Sequence, residues 1–412
     1  MRRAPIEGVA ESGWHIVQPL IAINDWEQIY KETPVYLVAE VVFFALFVCM
    51  CLMILTAEAK RRRFLLLAAL VTFSGGICVE LVTILHQQVG NFYHTQAVIM
   101  LFGYREPLYM ILGCYTWIGF TCLVLADRAK NCGVIPHVAL GCLLAHAAWG
   151  LLDMVGAKFL WWTWHNAEPL YADRHWGVPI ASSFWIMATG GASVVVMRWF
   201  ENSNPLMGLI AGPLASLGLM NVPFLIFYHP IVTFGGYNAN VALDALRAAC
   251  VLSLLPSLNI VVPQKIDLSM TLQVLLYVGF MLEVVFTCNP REQIRISYGQ
   301  PCAANCNLQE QAFWGGFIRG RHICPGNSDF ARDNFELCDD ECSEANLRAD
   351  GFDEKHWYRL CGTPMLPGFK AAVSCTVALL LILSFVPFKE ESHTTIKGSE
   401  VTTEEKTEKK KQ

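Results

Sequence analysis

Seven ionisable residues, Glu40, Glu80, His146, Asp153, Asp244, Arg247 and Glu283, lie inside stretches that are otherwise too apolar for water. A charge at mid-bilayer costs at least ~2.5–3.5 kcal/mol on insertion scales, so such residues tend to face a cavity or a partner. His146 and Asp153 are seven apart with Trp149 between them, which sets all three on one helical stripe. Glu80, Thr83 and Gln87 form a second polar stripe running toward His86. Asp244 and Arg247, three apart, can neutralise each other.

Two polar stretches border these apolar segments. One is "WHNAEPLYADRH", Trp164 to His175, and the other carries His86, Gln87, Asn91, His94, Arg105 and Glu106. Both contain Glu-Pro-Leu-Tyr, at 106–109 and 168–171. Histidines mixed with carboxylates can hold a divalent metal, or act as acid and base on a lipid-like substrate. The candidate metal ligands are His86, His94, His146 and His165; the candidate catalytic groups are His146, Asp153, Glu80, Glu106, His165, Glu168 and Asp173. No H-E-x-x-H, G-x-S-x-G or short-spaced histidine box supports them. The competing reading makes each histidine an interfacial residue satisfied by water, with Trp161, Trp162 and Trp164 forming an aromatic belt.

The elements that position these groups follow from composition. The chain has 412 residues, 54% hydrophobic and 16% charged, with a mean hydropathy of +0.40, outside the range of soluble globular domains. Its apolar runs of roughly 18–25 residues match the length that crosses ~30 Å of hydrocarbon as a helix. The sequence predicts an all-α polytopic bundle of about nine spans: 35–57, 64–86, 107–126, 134–156, 178–198, 205–228, 240–263, 268–288 and 371–388. Gly208 with Gly212, and the pairs Gly75–Gly76 and Gly190–Gly191, favour close helix approach; Pro213, Pro223 and Pro256 are expected to kink or break their helices.

Charge placement predicts orientation. Lys60 to Arg63, Arg128, Lys130, Arg198 and Lys265 follow alternate spans and so fall on one face, which the positive-inside rule makes cytosolic. The segment 1–34 is then lumenal. So is the 289–370 segment, with Cys302, Cys306, Cys324, Cys338, Cys342 and Cys361, a density that fits an oxidising compartment. The two C-x-x-x-C pairs suggest antiparallel helices stapled 302 to 342 and 306 to 338, leaving 324 with 361, one of several possible pairings. This segment reads as a cap on the bundle or as a docking surface for a protein partner. The polar 389–412 tail carries Lys409 and Lys410, third and fourth from the end, which resembles a dilysine retrieval signal of endoplasmic reticulum membrane proteins. Phosphate-cradling glycine loops and basic nucleic-acid stripes are missing, so nucleotide hydrolysis and nucleic-acid binding are not expected.

"WGVPIASSFW", Trp176 to Trp185, with the preceding "EPLYADRH", resembles the aromatic-Gly-Val-Pro…Phe…Trp signature of microbial carotenoid-biosynthesis membrane proteins, some of which hydrate isoprenoid chain ends. The cysteine-rich segment, the ninth span and the lysine-rich ending depart from that family. The whole chain is more similar to an uncharacterised multi-pass membrane protein family of unknown function. The resemblance transfers no catalytic role; the leading expectation, from the polar groups, is an endoplasmic reticulum membrane protein surrounded by membrane lipids that binds or processes a lipid or isoprenoid-like molecule at a lumenal pocket lined by spans two to five. A solute transporter running past Glu80, Asp153 and Asp244, and a receptor or chaperone acting through the cysteine-rich segment, are the alternatives.

Overall fold

The computed structural model describes residues 19–85, 92–164, 173–258, 267–298, 309–311, 318–320, 335–337 and 357–388. In chain order the elements before the first polar stretch are β1 (Ile21–Ile23), α1 (Trp26–Glu32), α2 (Pro34–Thr56) and α3 (Ala59–Leu85). β2 (Phe92–His94), β3 (Ile99–Leu101), β4 (Glu106–Pro107), α4 (Met110–Cys132) and α5 (Val134–Lys158) follow. Then come β5 (Trp162–Trp164), β6 (Arg174–His175), β7 (Val178–Pro179), α6 (Ile180–Phe200), α7 (Pro205–Phe234), α8 (Ala239–Ser257) and α9 (Leu268–Thr287). The chain continues through the strands β8 (Ile294–Tyr298), β9 (Gln309–Gln311), β10 (Ile318–Gly320), β11 (Phe335–Leu337) and β12 (Trp357–Gly362) to α10 (Phe369–Phe385).

Among the described residues eight helices, α2 to α9, are long and apolar enough to cross a membrane. Their bounds fall within a few residues of the sequence expectation, except that α3 starts five residues early at Ala59, α4 and α7 each run six residues further, to Cys132 and Phe234, and α8 stops six short at Ser257. The ninth apolar run forms α10, only 17 residues or ~25 Å of helix. Of the three prolines expected to kink or break their helices, Pro213 and Pro223 lie within the continuous α7 and only Pro256 falls where regular α-helix ends. Pro213 and Pro223 are each followed by a π-helical stretch, Leu214–Leu219 and Phe224–Phe234, and Pro256 sits in a 3-10 turn. A proline removes one ladder N–H and crowds the carbonyl four residues back, which widens the local winding.

Polar groups gather at the two ends of the bundle. At one end the basic residues are joined to one another's loops: Arg61 to Asp127 at 3.3 Å, Lys130 to Glu201 at 2.6 Å, Arg63 to the Ser203 carbonyl at 3.2 Å and Arg198 to the Lys130 carbonyl at 3.3 Å. Arg128 donates there to the Leu383 and Val386 carbonyls at the carboxyl end of α10. The other end is covered by short strands. β1, β3 and β4 form one antiparallel sheet, with Ala22 opposite Met100 and Leu101 opposite Glu106, and β2 pairs with β5. At that end Lys158 of α5 donates to the Pro364 carbonyl at 2.6 Å, and the Trp176 and Phe369 rings meet edge to face at 6.0 Å. α10 therefore starts at the strand-covered end and finishes at the basic one, antiparallel to α5, short as it is.

The described parts of the 289–370 segment are mainly strands, with a 3-10 turn at Pro290–Glu292 before them and the first residues of α10 after them. β12 pairs with β8 and β11, and β9 with β10. Cys302, Cys306, Cys324, Cys338 and Cys342, and hence the stapled helices, lie outside the described residues; Cys361, on β12, is disulfide-bonded. Lys409 and Lys410 also lie outside them.

Small residues bring helices together at backbone distance. Gly208 and Gly212 of α7 lie against α3, where a Cβ on Gly212 would collide with the Val71 carbonyl and one on Gly208 would come within 3.0 Å of the Leu67 carbonyl. Ser74 donates to the Gly208 carbonyl at 2.9 Å and Ser216 to the Gly75 carbonyl at 3.2 Å, so the two backbones are also hydrogen-bonded. Gly190 and Gly191 of α6 press on α5 in the same way, against Ala145 and Cys142. Overpacking a site with no room costs about 1–3 kcal/mol. Gly212→Ala is therefore expected to cost stability by that margin, read as a lower thermal midpoint of the detergent-solubilised protein, whereas Gly279→Ala, where a Cβ would meet nothing within 4 Å, is expected not to lower the midpoint. Equal midpoints for Gly212→Ala and wild type would refute the close α3–α7 contact.

Candidate functional site

Three of the residues singled out from the sequence meet under the strand layer. Glu80 lies near the end of α3, His94 ends β2 and Glu106 begins β4. All three are buried, and one ligand atom from each lies within 4.8 Å of the others. His94 Nε2 stands 3.3 Å from Glu106 Oε2.

Local chain chemistry explains how Glu106 reaches this place. Phe102, Gly103 and Tyr104 have φ values of 49°, 66° and 61°, three consecutive left-handed residues of which two carry bulky side chains. Such strain persists only where neighbours fix it. Here the Phe102 and Gly103 amides donate to the Leu20 and Pro19 carbonyls at 3.0 and 2.8 Å, and Gln96 Nε2 donates to the Tyr104 carbonyl at 3.0 Å. The reversal turns β4 back along β3 and points the Glu106 carboxyl inward. Glu40, one of the intramembrane acids, steadies the same strand layer by accepting the Val98 amide at 3.1 Å.

Burial sets the charge of the site. His94 is held down to about 4, first by loss of water and then by the Arg295 and Arg105 charges, with Glu80 acting in the other direction. Glu106 is pushed up to about 8 by the same loss of water, against the pull of its hydrogen bond with Glu80 and of Arg105. Without a metal, the pair at neutral pH is thus a protonated acid beside an unprotonated imidazole. Arg105 lies over the Tyr93 ring at 5.0 Å, and buried Arg295 donates to Thr163 Oγ1 at 2.8 Å, so the cluster is roofed by β5 and β8.

Glu80 also looks into the bundle. Its Oε2 accepts weakly from Thr83 Oγ1 at 3.5 Å, the first two members of the expected stripe, whose Gln87 lies outside the described residues, and its carboxyl meets the Tyr115 hydroxyl. Tyr115 packs on Trp149 at 4.9 Å, and both line a cleft between α3, α4, α5, α6 and α7. Its walls are largely apolar and small, including Gly75, Gly119, Gly141 and Gly190, with the hydroxyl side chains Thr72, Thr189, Ser193 and Ser216 among them.

The other predicted groups separate. His146 is no part of the cluster: its Nε2 is held by Arg247 at 3.1 and 2.7 Å, while Arg247 also pairs with Asp244 at 2.9 Å. The expected His146–Trp149–Asp153 stripe thereby divides, because His146 faces α8 and Trp149 faces the cleft. Asp153 is buried with no hydrogen-bond partner for Oδ2 among the described residues. Asp173 accepts the Ala239 amide at 3.4 Å, a loop-anchoring contact. His86, His165 and Glu168 lie outside the described residues. The aromatic-belt expectation is corrected, since Trp161, Trp162 and Trp164 are all buried. Trp161 stacks on Phe280 and Trp162 lies edge-on to His94, so they wall the site rather than meet lipid. Tyr115 was not singled out from sequence; its spacing in an apolar helix carries no signal.

Long apolar helices around a buried acid–histidine cluster define a multi-pass helical membrane protein. Residues 5–204 match a family model described as a domain of unknown function (DUF7802), which ends just beyond α6 and includes Glu80, His94 and Glu106. No curated protein and no solved structure matches the chain.

The two shifts have opposite consequences for stability. His94 has an ordinary value of 6.5 and a folded value of about 4, so in the interval between them only the unfolded chain binds its proton, and stability rises with pH. Glu106 runs from an ordinary 4.5 to about 8 in the fold, where the folded chain keeps a proton the unfolded chain has lost, and stability falls with pH. Of these two groups, only Glu106 contributes above pH 6.5. Chelator-treated protein is therefore expected to lose thermal stability from pH 6.5 to 8, and Glu106→Gln to flatten that slope; a midpoint rising over this window would contradict the assignment.

Proposed function

We propose that this is an endoplasmic reticulum membrane protein of nine crossings that binds and processes a lipid or isoprenoid-like molecule from the lumenal side. The observation that carries this reading is the contact between Tyr115, which lines the apolar cleft, and Glu80 of the acid–histidine cluster. A chain lying in the cleft would present its end to the cluster. There a protonated Glu106 can donate a proton and His94 can accept one, the pairing that general acid–base chemistry requires. Burial under the strand layer excludes bulk water, which favours chemistry on a hydrophobic substrate.

The gathering of Arg61, Arg63, Arg128, Lys130 and Arg198 at one end supports a cytosolic assignment for that end and a lumenal one for the strand layer. α10, with its two ends held at opposite ends of the bundle, supplies the ninth crossing. The bonded state of Cys361 fits a lumenal 289–370 segment.

Lipid analysis of the purified protein tests the reading. Wild type is expected to carry a defined hydrophobic molecule out of the membrane. Ser193→Phe, which fills the cleft, is expected to lose most of it, and Glu106→Gln to keep the molecule but alter the ratio of precursor to product in lipid extracts. Identical lipid complements in all three proteins would reject both the cleft and the chemistry.

A further inference from the structure

We propose that Glu80, His94 and Glu106 bind one divalent transition-metal ion of the manganese-to-zinc range, through two carboxylates and one imidazole, leaving an open position for water or a substrate oxygen. This deepens the acid–histidine site, and it stands whether or not the occupant of the cleft is a lipid.

The donor set fits such an ion. Carboxylate oxygens suit hard cations and imidazole suits later first-row metals, so a mixed O2N set selects the middle of that range. The three donors come from separate elements, α3, β2 and β4, and converge on one point with ligand atoms within 4.8 Å of one another. Metal bonds of ~2.1 Å put tetrahedral ligands ~3.4 Å apart. His94 Nε2 and Glu106 Oε2, at 3.3 Å, already have that spacing. Rotation of the flexible Glu80 side chain closes the remainder.

A second observation points to the same place. Glu80 Oε1 is fully buried with no hydrogen-bond partner among the described residues, in a residue with no exposed surface. A buried carboxylate oxygen left without a partner is costly, whereas a divalent cation between two carboxylates makes a locally neutral group. Tyr115 against Glu80 and the Trp162 ring edge-on to His94 are placed to orient the ligands, as the outer groups of metal sites do. Arg105 and Arg295 nearby oppose a cation and favour an anionic group at the open position.

The full-length protein, purified in detergent, stripped with chelator and titrated with Mn2+, provides the test. One tight site per chain is expected by electron paramagnetic resonance, with a nitrogen modulation from the imidazole and displacement by Zn2+. Glu80→Gln and Glu106→Gln are expected to abolish that site. Tyr115→Phe is expected to weaken it on the order of tenfold, and Asp153→Asn to leave it intact. Wild type with no saturable site, a bound ion with no nitrogen signal, or unchanged binding in both glutamine variants would each overturn the proposal; the first two need no variant to fold. Metal binding without a lipid would remove only the lipid reading, and lipid without metal only this one.

Discussion

The bundle depends on α3 lying against α7 and α4 at backbone distance. Gly208 and Gly212 admit α3 from one side, and Gly76 and Gly119 bring α4 onto it from another, the first beneath the Tyr115 ring and the second against Thr72. In hydrocarbon such packing takes the place of the hydrophobic effect, which supplies no driving force between helices already surrounded by apolar tails. The same contacts set the depth and rotation of α3. Glu80 and Tyr115 thereby face one another, and the small-residue seam ends in a polar group.

Much of the architecture was legible in the chain, for reasons that trace to the bilayer. Apolar runs long enough to span it must be helices, because unsatisfied backbone groups are not tolerated there; α2 to α9 appear close to their expected bounds. The alternation of basic residues was legible for a similar reason, and Arg61, Lys130 and Arg198 do meet at one end. The strand layer was not. β1, β2 and β3 are three residues each, below the length at which alternation shows, and their partners lie far along the chain, as Ile21 opposite Leu101 illustrates. Reading Trp161 to Trp164 as a lipid-facing belt failed because that layer covers them.

The site was half legible. Glu80, Glu106 and His94 stood out because charged and polar groups beside apolar spans need partners, but sequence could not say which partners. His146 shows the limit: it reads as a ligand or base by residue type, yet Arg247, one hundred and one positions later, occupies its Nε2. The pairing of Asp244 with Arg247 follows from their spacing of three on one helix and is present at 2.9 Å. Local pairs are encoded by periodicity; pairs between helices are encoded by packing, which a single sequence states only through its glycines.

The distribution of acids also bears on the choice between a pocket and a pathway. A route across the membrane needs polar groups in succession from one end to the other. Glu80 is instead joined to His94 and Glu106 at the strand-covered end, Asp244 is exposed and held by Arg247, and Asp153 is buried without an acidic neighbour in hydrogen-bonding contact. Toward the basic end the cleft lining includes Val71, Cys122 and Leu123, with Thr72 beside them and no ionisable carboxylate or imidazole. Among the described residues the cleft thus has its acidic neighbour, Glu80, at the strand-covered end alone. Such an arrangement fits recognition or conversion at one face better than passage between two.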